Sequence, residues 1–198
     1  INGHSDVVGG AVIAKSQELF ERLKYWADCL GLTDSPFDAY LTLRGLRTLK
    51  ARLNLHLANT KDIVRVLGAH AAVQKVHYPG LKDHPGHAIA VKQQSGFGAM
   101  ISFELQDTEE VKVFLAKLRY FSLAESLGGV ESLVAHPASM THASMDPQAR
   151  QTAGISDGLL RLSVGIEDAD DLSEAVQDAL DAVLEFRHSA RETANVHA

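Results

Sequence analysis

LLRLSVGI, residues 159–166, is the stretch that decides the fold, because apolar positions alternate there with other positions. The apolar positions are Leu160, Leu162, Val164 and Ile166, and Arg161 and Ser163 lie between them. Alternation of this kind predicts a β-strand with one face in the core and the other toward solvent. Ala99–Leu105 alternates in the same way and predicts a second strand of the same type.

Helical patterns and shorter strand-like runs surround these two segments. A capping signal at Asp107 begins one helix, and apolar residues at helical spacing from Leu172 to Leu184 predict a final helix. Three further strand-like runs are Val73–Tyr78, Phe121–Ala124 and Glu131–Ala135. Helices kept apart from short strands, which we expect to be antiparallel, indicate an α+β arrangement.

The first 60 residues follow a different pattern. Val7–Ala14 is short and apolar and predicts a buried strand. Ser16 can cap a helix that ends at Gly31, and Ser35-Pro36 begins a longer helix that we expect to continue to Gly68. One strand and two helices cannot form a sheet domain alone. We therefore predict that residues 1–60 close one domain and that residues 61–198 form a second, smaller one.

Composition excludes several classes of protein. The chain has 198 residues, 45% of them hydrophobic, and a net charge of −6. The sequence lacks the dense cluster of Lys and Arg that would predict nucleic-acid binding. Its longest apolar runs are far shorter than the roughly 20 residues that cross a membrane. Cys29 is the only cysteine, which favours a cytoplasmic protein. His84 and His87 have no Cys or acidic partner at ligand spacing, so no metal site is predicted.

Two segments are unusual for a scaffold. The first is Ala124–Ser132, in which acids, serines and a diglycine lie between apolar runs. Its hydroxyl and backbone N–H groups could bind an anion, or it could be a glycine-containing hairpin. The second is Arg161, which could bind a carboxylate through its planar fork or could face solvent. Ser139 and Thr141-His142 form either a supporting shell or a surface loop.

Six motifs of the chain resemble the cystathionine γ-synthase and γ-lyase family of pyridoxal-phosphate (PLP) enzymes, and they cover nearly the whole chain in the family's order. They are INGHSDVVGG (1–10), DAYLTLRGLRTLKAR (38–52), GFGAMISFEL (96–105), LAESLGGVESL (123–133), HPASMTHAS (136–144) and GISDGLLRLSVGIEDADDL (154–172). The resemblance implies the type I aminotransferase-like fold, an α/β class with a large doubly wound PLP-binding domain and a small α+β C-terminal domain. Residues 1–60 are similar to the tail of the large domain and 61–198 to the small domain.

The resemblance also implies where the cofactor is held. The family's Schiff-base lysine is expected two residues before Ile1, and the other PLP-binding residues earlier still, so no residue of this chain is predicted to hold the cofactor. The expected partners are amino-acid substrates and the N-terminal half of the same enzyme, in a homotetramer. The alternative is a non-catalytic fragment or oligomerisation module.

The same resemblance assigns roles to four residues. Arg161 matches the arginine that binds the substrate α-carboxylate, and Thr141 the threonine that orients it. Ser126 matches a serine that contacts the carboxylate and the surroundings of the lysine. Glu125 matches an acid near the distal end of the substrate in the branch that acts at the γ-carbon.

These matches imply a transsulfuration enzyme of cysteine and methionine metabolism that acts at the γ-carbon. The first expectation is a cystathionine γ-lyase, which converts cystathionine into cysteine, 2-oxobutanoate and ammonia; MTHAS together with RLSVG favours it. The alternative is a cystathionine γ-synthase, which joins O-succinylhomoserine and cysteine.

Overall fold

The computed structural model describes residues 1–196 in two compact units, one spanning Ile1–Lys50 and the other beginning at Ala51. The helices are α1 (Gln17–Leu30), α2 (Pro36–Arg47), α3 (Leu49–Ala69), α4 (His87–Gln93), α5 (Thr108–Lys117), α6 (Pro147–Thr152) and α7 (Ala169–Val196). The strands are β1 (Lys75–His77), β2 (Met100–Glu104), β3 (Ser122–Leu123), β4 (Leu133–Ala135) and β5 (Leu159–Ser163). Within these residues no helix is long and apolar enough to cross a membrane.

The first unit confirms the predicted caps. The Ser16 hydroxyl accepts from the backbone N–H of Leu19, and Gly31 ends α1 in the left-handed conformation with φ of 66°. Helix α2 begins after the cap residue Ser35, with proline in its first turn. The predicted continuation of this helix to Gly68 is wrong, because the helical path is interrupted at Thr48 and α3 starts anew at Leu49.

The predicted buried strand at Val7–Ala14 is also wrong. The segment has no regular structure, and Val8 and Ile13 are each 95% exposed. A strand needs a neighbouring strand to satisfy its backbone, and no part of residues 1–50, all of which the structure describes, forms one. The segment is apolar, as the sequence shows, but its own residues do not specify a strand.

The second unit contains a five-stranded sheet in the order β1-β2-β5-β4-β3. The two alternating stretches form its centre, as predicted: β2 and β5 are antiparallel, and Ser102 lies opposite Arg161. Ile101, Phe103, Leu160 and Leu162 point to one face and are at most 1% exposed. This face is covered by α3, α5 and α7, which contribute Ile63, Phe114, Val176 and Leu180 to the same core. The predicted α+β layering is therefore present.

The edge of the sheet departs from the antiparallel expectation. β3 and β4 are parallel, with Ser122 opposite Leu133 and Leu123 opposite Val134. Two parallel strands cannot be joined by a tight hairpin. The interpretation of the diglycine segment as a hairpin is therefore wrong. Residues 124–132 instead connect the end of β3 to the start of β4, and we call them the crossover segment.

Candidate functional site

Arg161 occupies the middle of β5, the central strand of the sheet. Its cross-strand neighbours are Ser102 on β2 and Ala135 on β4. Because directly opposite residues of an antiparallel pair share a face, Arg161 lies with Ser102 on the side away from the helices. Its side chain is half-buried there, where the sheet offers a rigid base for an arginine that is not part of the apolar core.

The guanidinium of Arg161 is held by backbone carbonyls of the crossover segment. Its Nη2 donates to the main-chain oxygen of Glu125 at 2.8 Å and to that of Ser126 at 3.4 Å. Among residues 1–192, whose side chains the structure describes, no acceptor forms a hydrogen bond with Nε or Nη1. Since an arginine carries five N–H donors, the group retains unused donors together with its positive charge.

The crossover segment places Glu125 and Ser126 at the surface beside Arg161. Both residues are exposed. Gly128, which follows shortly after them, has φ of 76°, a conformation that glycine adopts at little cost. Its N–H donates to the Ser163 hydroxyl at 2.9 Å. The predicted role of the diglycine in allowing a positive φ is confirmed at this one position.

The far end of the crossover segment is fixed by Glu167, just beyond β5. Glu167 accepts from the Ser132 backbone N–H at 2.6 Å and from its hydroxyl at 2.8 Å. The Ser132 oxygen in turn accepts from Gly165 N–H at 2.8 Å. Ser132 is 0% exposed. Its hydroxyl is therefore committed to this network, and the suggestion that it could bind an external anion is wrong.

Helix α3 supports the same chain turn from the core side. The His56 ring nitrogen Nδ1 lies 2.6 Å from the Val164 carbonyl oxygen. Asn59 donates from Nδ2 to the carbonyls of Gly165 at 3.2 Å and Glu167 at 2.8 Å. His56 and Asn59 are 3% and 1% exposed. A carbonyl can only accept, so the proton of His56 must be on Nδ1.

Thr141 lies on the irregular stretch that precedes α6, and it is exposed. Its hydroxyl is 2.8 Å from His142 Nδ1, and among residues 1–196 it forms no hydrogen bond with Arg161. Nearby, His136 is buried and connects Ser139 Oγ at 2.7 Å with the Asp157 carbonyl at 2.9 Å. The structure thus brings together Arg161 and the backbone of Glu125 and Ser126, and the hydrogen bond of Thr141 is with His142 instead.

The two histidines considered for a metal contact the protein itself. His84 Nδ1 accepts from Gly86 N–H at 3.0 Å, and His87 Nδ1 is 2.8 Å from the Pro79 carbonyl. Over residues 1–196 no group of three or more His, Cys, Asp or Glu side chains could hold a metal ion.

Sequence reasoning did not identify Ser163, Glu167, His56 or Asn59 as parts of the site. Ser163 carried a usable signal, because it is two residues from Arg161 in an alternating strand and therefore shares its face. Glu167, His56 and Asn59 carried none, since their partners are distant in sequence.

The family described as Cys/Met metabolism PLP-dependent enzyme matches residues 1–181 of the chain. A cystathionine γ-synthase of Escherichia coli is 54% identical over 87% of this chain and 45% of its own length. A cystathionine β-lyase of Lactococcus lactis is 50% identical over 91% of this chain and 48% of its own. The chain therefore spans about half the length of the curated relatives it matches.

A solved structure gives the same result for the fold. It is a cystathionine γ-synthase of Xanthomonas oryzae in complex with cystathionine. The two chains are 62% identical and superpose with a TM-score of 0.88. The match covers 93% of this chain and 48% of the solved chain. The predicted family and fold class are thereby confirmed.

Proposed function

We propose that this chain, which belongs to the Cys/Met metabolism PLP-dependent enzyme family, forms the substrate-carboxylate side of a transsulfuration enzyme that acts at the γ-carbon. Curated relatives carry the names cystathionine γ-synthase and γ-lyase. The observation that supports a carboxylate site best is the state of Arg161. It lies on a central strand, is steadied by two carbonyls, and has no carboxylate partner among residues 1–196.

Arg161 binds the α-carboxylate of the amino-acid substrate in this proposal. The bonds from Nη2 to the Glu125 and Ser126 carbonyls fix one corner of the guanidinium. Its other N–H groups then face the ligand with a defined orientation, which suits two-point binding of a carboxylate. Binding the carboxylate at a fixed place orients the rest of the substrate with respect to the reacting carbons.

Ser126 and Glu125 act beside this contact. Both side chains are exposed next to the arginine. Ser126 adds a hydroxyl to the carboxylate site, and Glu125 lies toward the distal end of the substrate, where it influences which bond reacts. Thr141 orients the arginine in the family pattern. We propose the same role for Thr141 in the complete enzyme. In this structure its hydroxyl is paired with His142 instead.

PLP, when bound, supplies an electron sink for the negative charge that develops next to the substrate α-carbon. In this proposal Arg161 and the crossover segment serve the carboxylate of the substrate. We propose that the residues that hold PLP, including the Schiff-base lysine, belong to the N-terminal half of the enzyme.

Two reactions are candidates within this class. The γ-lyase reaction, favoured by MTHAS and RLSVG, releases 2-oxobutanoate from cystathionine. The γ-synthase reaction forms cystathionine from O-succinylhomoserine and cysteine, and the 54% and 62% identities to proteins named γ-synthase favour it. We further propose a cytoplasmic homotetramer, on the family resemblance alone.

Assays of the complete enzyme with both substrate sets test the proposal. We expect 2-oxobutanoate release from cystathionine, cystathionine formation from O-succinylhomoserine and cysteine, or both. A visible absorbance band from bound PLP should accompany the activity. Absence of both reactions together with a colourless protein would favour the non-catalytic alternative.

A further inference from the structure

Two residues of β5 contact the crossover segment from the same face of the strand. Arg161 and Ser163 are two positions apart, and residues at this spacing point the same way in a strand. Arg161 donates to the carbonyl of Glu125 at 2.8 Å, and Ser163 accepts from Gly128 N–H at 2.9 Å. The contacts therefore flank Ser126 and Leu127 on both sides.

The segment is attached again after Gly128. Val130 O accepts from Ile166 N–H at 2.8 Å, and Ser132 is bound to Glu167 through both its N–H and its hydroxyl. The two chains approach closely here, since a Cβ on Gly165 would lie 2.4 Å from Val130 O. Gly128, Val130 and Ser132 are thus fixed to the stretch from Ser163 to Glu167.

Side-chain packing cannot hold the part of the crossover segment that is nearest to Arg161. Glu125, Ser126 and Leu127 are exposed, and Leu127 is 55% exposed. An exposed segment without buried side chains opens easily unless polar contacts hold it. The position of the carbonyls that steady Arg161 therefore depends on two attachments. Before Glu125, the Ala124 N–H donates to Val134 O at 2.9 Å; after Ser126, the segment is held by the contacts of Ser163 and Glu167.

We propose that Ser163 and Glu167 are positioning residues that hold the crossover segment in the conformation in which Arg161 and Ser126 bind the substrate carboxylate. The inference rests on the proposed function, because it takes that carboxylate as the ligand. Neither residue touches the substrate, and both act through the segment.

Ser163→Ala and Glu167→Gln in the complete enzyme test this role. The alanine removes the acceptor of Gly128 N–H, and the glutamine leaves one oxygen where two accept from Ser132. Each loss equals about one hydrogen bond, so KM should rise about three- to tenfold. The turnover number should change by less than about twofold, because the carboxylate contact is made equally before and during the reaction.

Glu110→Gln is the matched control. Glu110 is 2% exposed and accepts from Gln106 N–H and Arg187, so it is a buried carboxylate with similar partners. It shares no contact with the crossover segment among the described residues. We expect it to lower thermal stability while KM stays unchanged. A KM increase as large as that of the two test variants would overturn the positioning role.

Amide hydrogen exchange of the peptide covering residues 124–133 gives a readout that does not need activity. Ser163→Ala should speed exchange there and leave β2 unchanged; unchanged exchange in the peptide would overturn the inference. If Arg161→Ala raises KM and Ser163→Ala leaves KM unchanged, the positioning inference is overturned and the proposed function stands. If the unsubstituted enzyme has neither activity, the proposed function fails. The exchange experiment then still shows whether Ser163 holds the crossover segment in place.

Discussion

Arg161 is steadied by the main-chain oxygen of Glu125, at 2.8 Å from Nη2, and not by that residue's carboxylate. A carbonyl orients a guanidinium without cancelling its charge, whereas a carboxylate partner would compete with an anionic ligand. The arrangement therefore suits an arginine that is prepared to bind and not one that only stabilises the fold.

Replacing Arg161 by alanine should weaken substrate binding more than it weakens the fold. A charge-assisted carboxylate contact is worth about 1.5–3 kcal/mol, so KM should rise about 10- to 150-fold. The unfolding free energy should fall by less than about 1 kcal/mol, because the side chain is half-buried. Steady-state kinetics and urea unfolding measure the two effects. Arg161→Lys is the control that keeps the charge without the planar fork, and an unchanged KM in the alanine variant would refute the assignment.

Glu125→Ala should change the ratio of products and leave the fold intact. Its side chain is exposed, so little stability depends on it. In the proposed role it lies near the distal end of the substrate, and its loss should shift the balance between γ-elimination and competing reactions. Product analysis after incubation with cystathionine measures the ratio, with Glu131→Ala in the same segment as the comparison. An identical product profile would remove Glu125 from the mechanism.

Arg187 and Glu110 join α7 to α5, and breaking this pair should destabilise the second unit. Arg187 Nη2 donates to Glu110 Oε2 at 2.7 Å and to the Ala72 carbonyl at 2.8 Å. Glu110's side chain is only 3% exposed. Arg187→Ala leaves that carboxylate buried and unpaired, which should cost about 3–5 kcal/mol. Urea unfolding measures it. The double variant Arg187→Ala with Glu110→Gln should recover part of the loss, and no recovery would contradict this account.

Tyr78 should make stability fall at alkaline pH. Burial raises the pKa of its phenol above 10.0, and the hydroxyl donates to Gly98 O at 3.0 Å. Because the folded pKa exceeds the unfolded one, this contribution is fully present below about pH 10 and is lost as pH rises through the folded pKa. Tyr78→Phe lacks the ionisation, so its unfolding free energy should change less over the alkaline range. Parallel pH profiles for the two proteins would contradict the prediction.

Local pattern predicted the centre of the sheet well because each strand there has one face on the core. Ile101 and Phe103 alternate with half-exposed residues, and the packed face fixes this register. Val7–Ala14 shows the limit of the same reasoning. Its apolar residues satisfy the composition of a strand, but strand formation depends on a partner, and a partner is not encoded in the segment itself.

The candidate site was predictable only in part, for a related reason. Arg161 is conspicuous because a charged residue interrupts an apolar alternation. Its approach to Glu125 and the contact between Ser132 and Glu167 join residues about 35 positions apart. The pairing of Leu133 with Ser163 brings these stretches together. That register is a property of the assembled sheet and could not be read from either stretch alone.

The parallel pairing of β3 with β4 has a consequence for how such enzymes can diverge. Glu125 and Ser126 lie on the return path between the two strands, outside the ladder that sets the sheet register. In the proposed roles, a substitution of Glu125 changes what meets the far end of a substrate, and one of Ser126 changes what meets its carboxylate, while every strand keeps its neighbours. With these proposed roles, choice of reaction and integrity of the scaffold would be inherited through separate residues, so that one could drift while the other is retained.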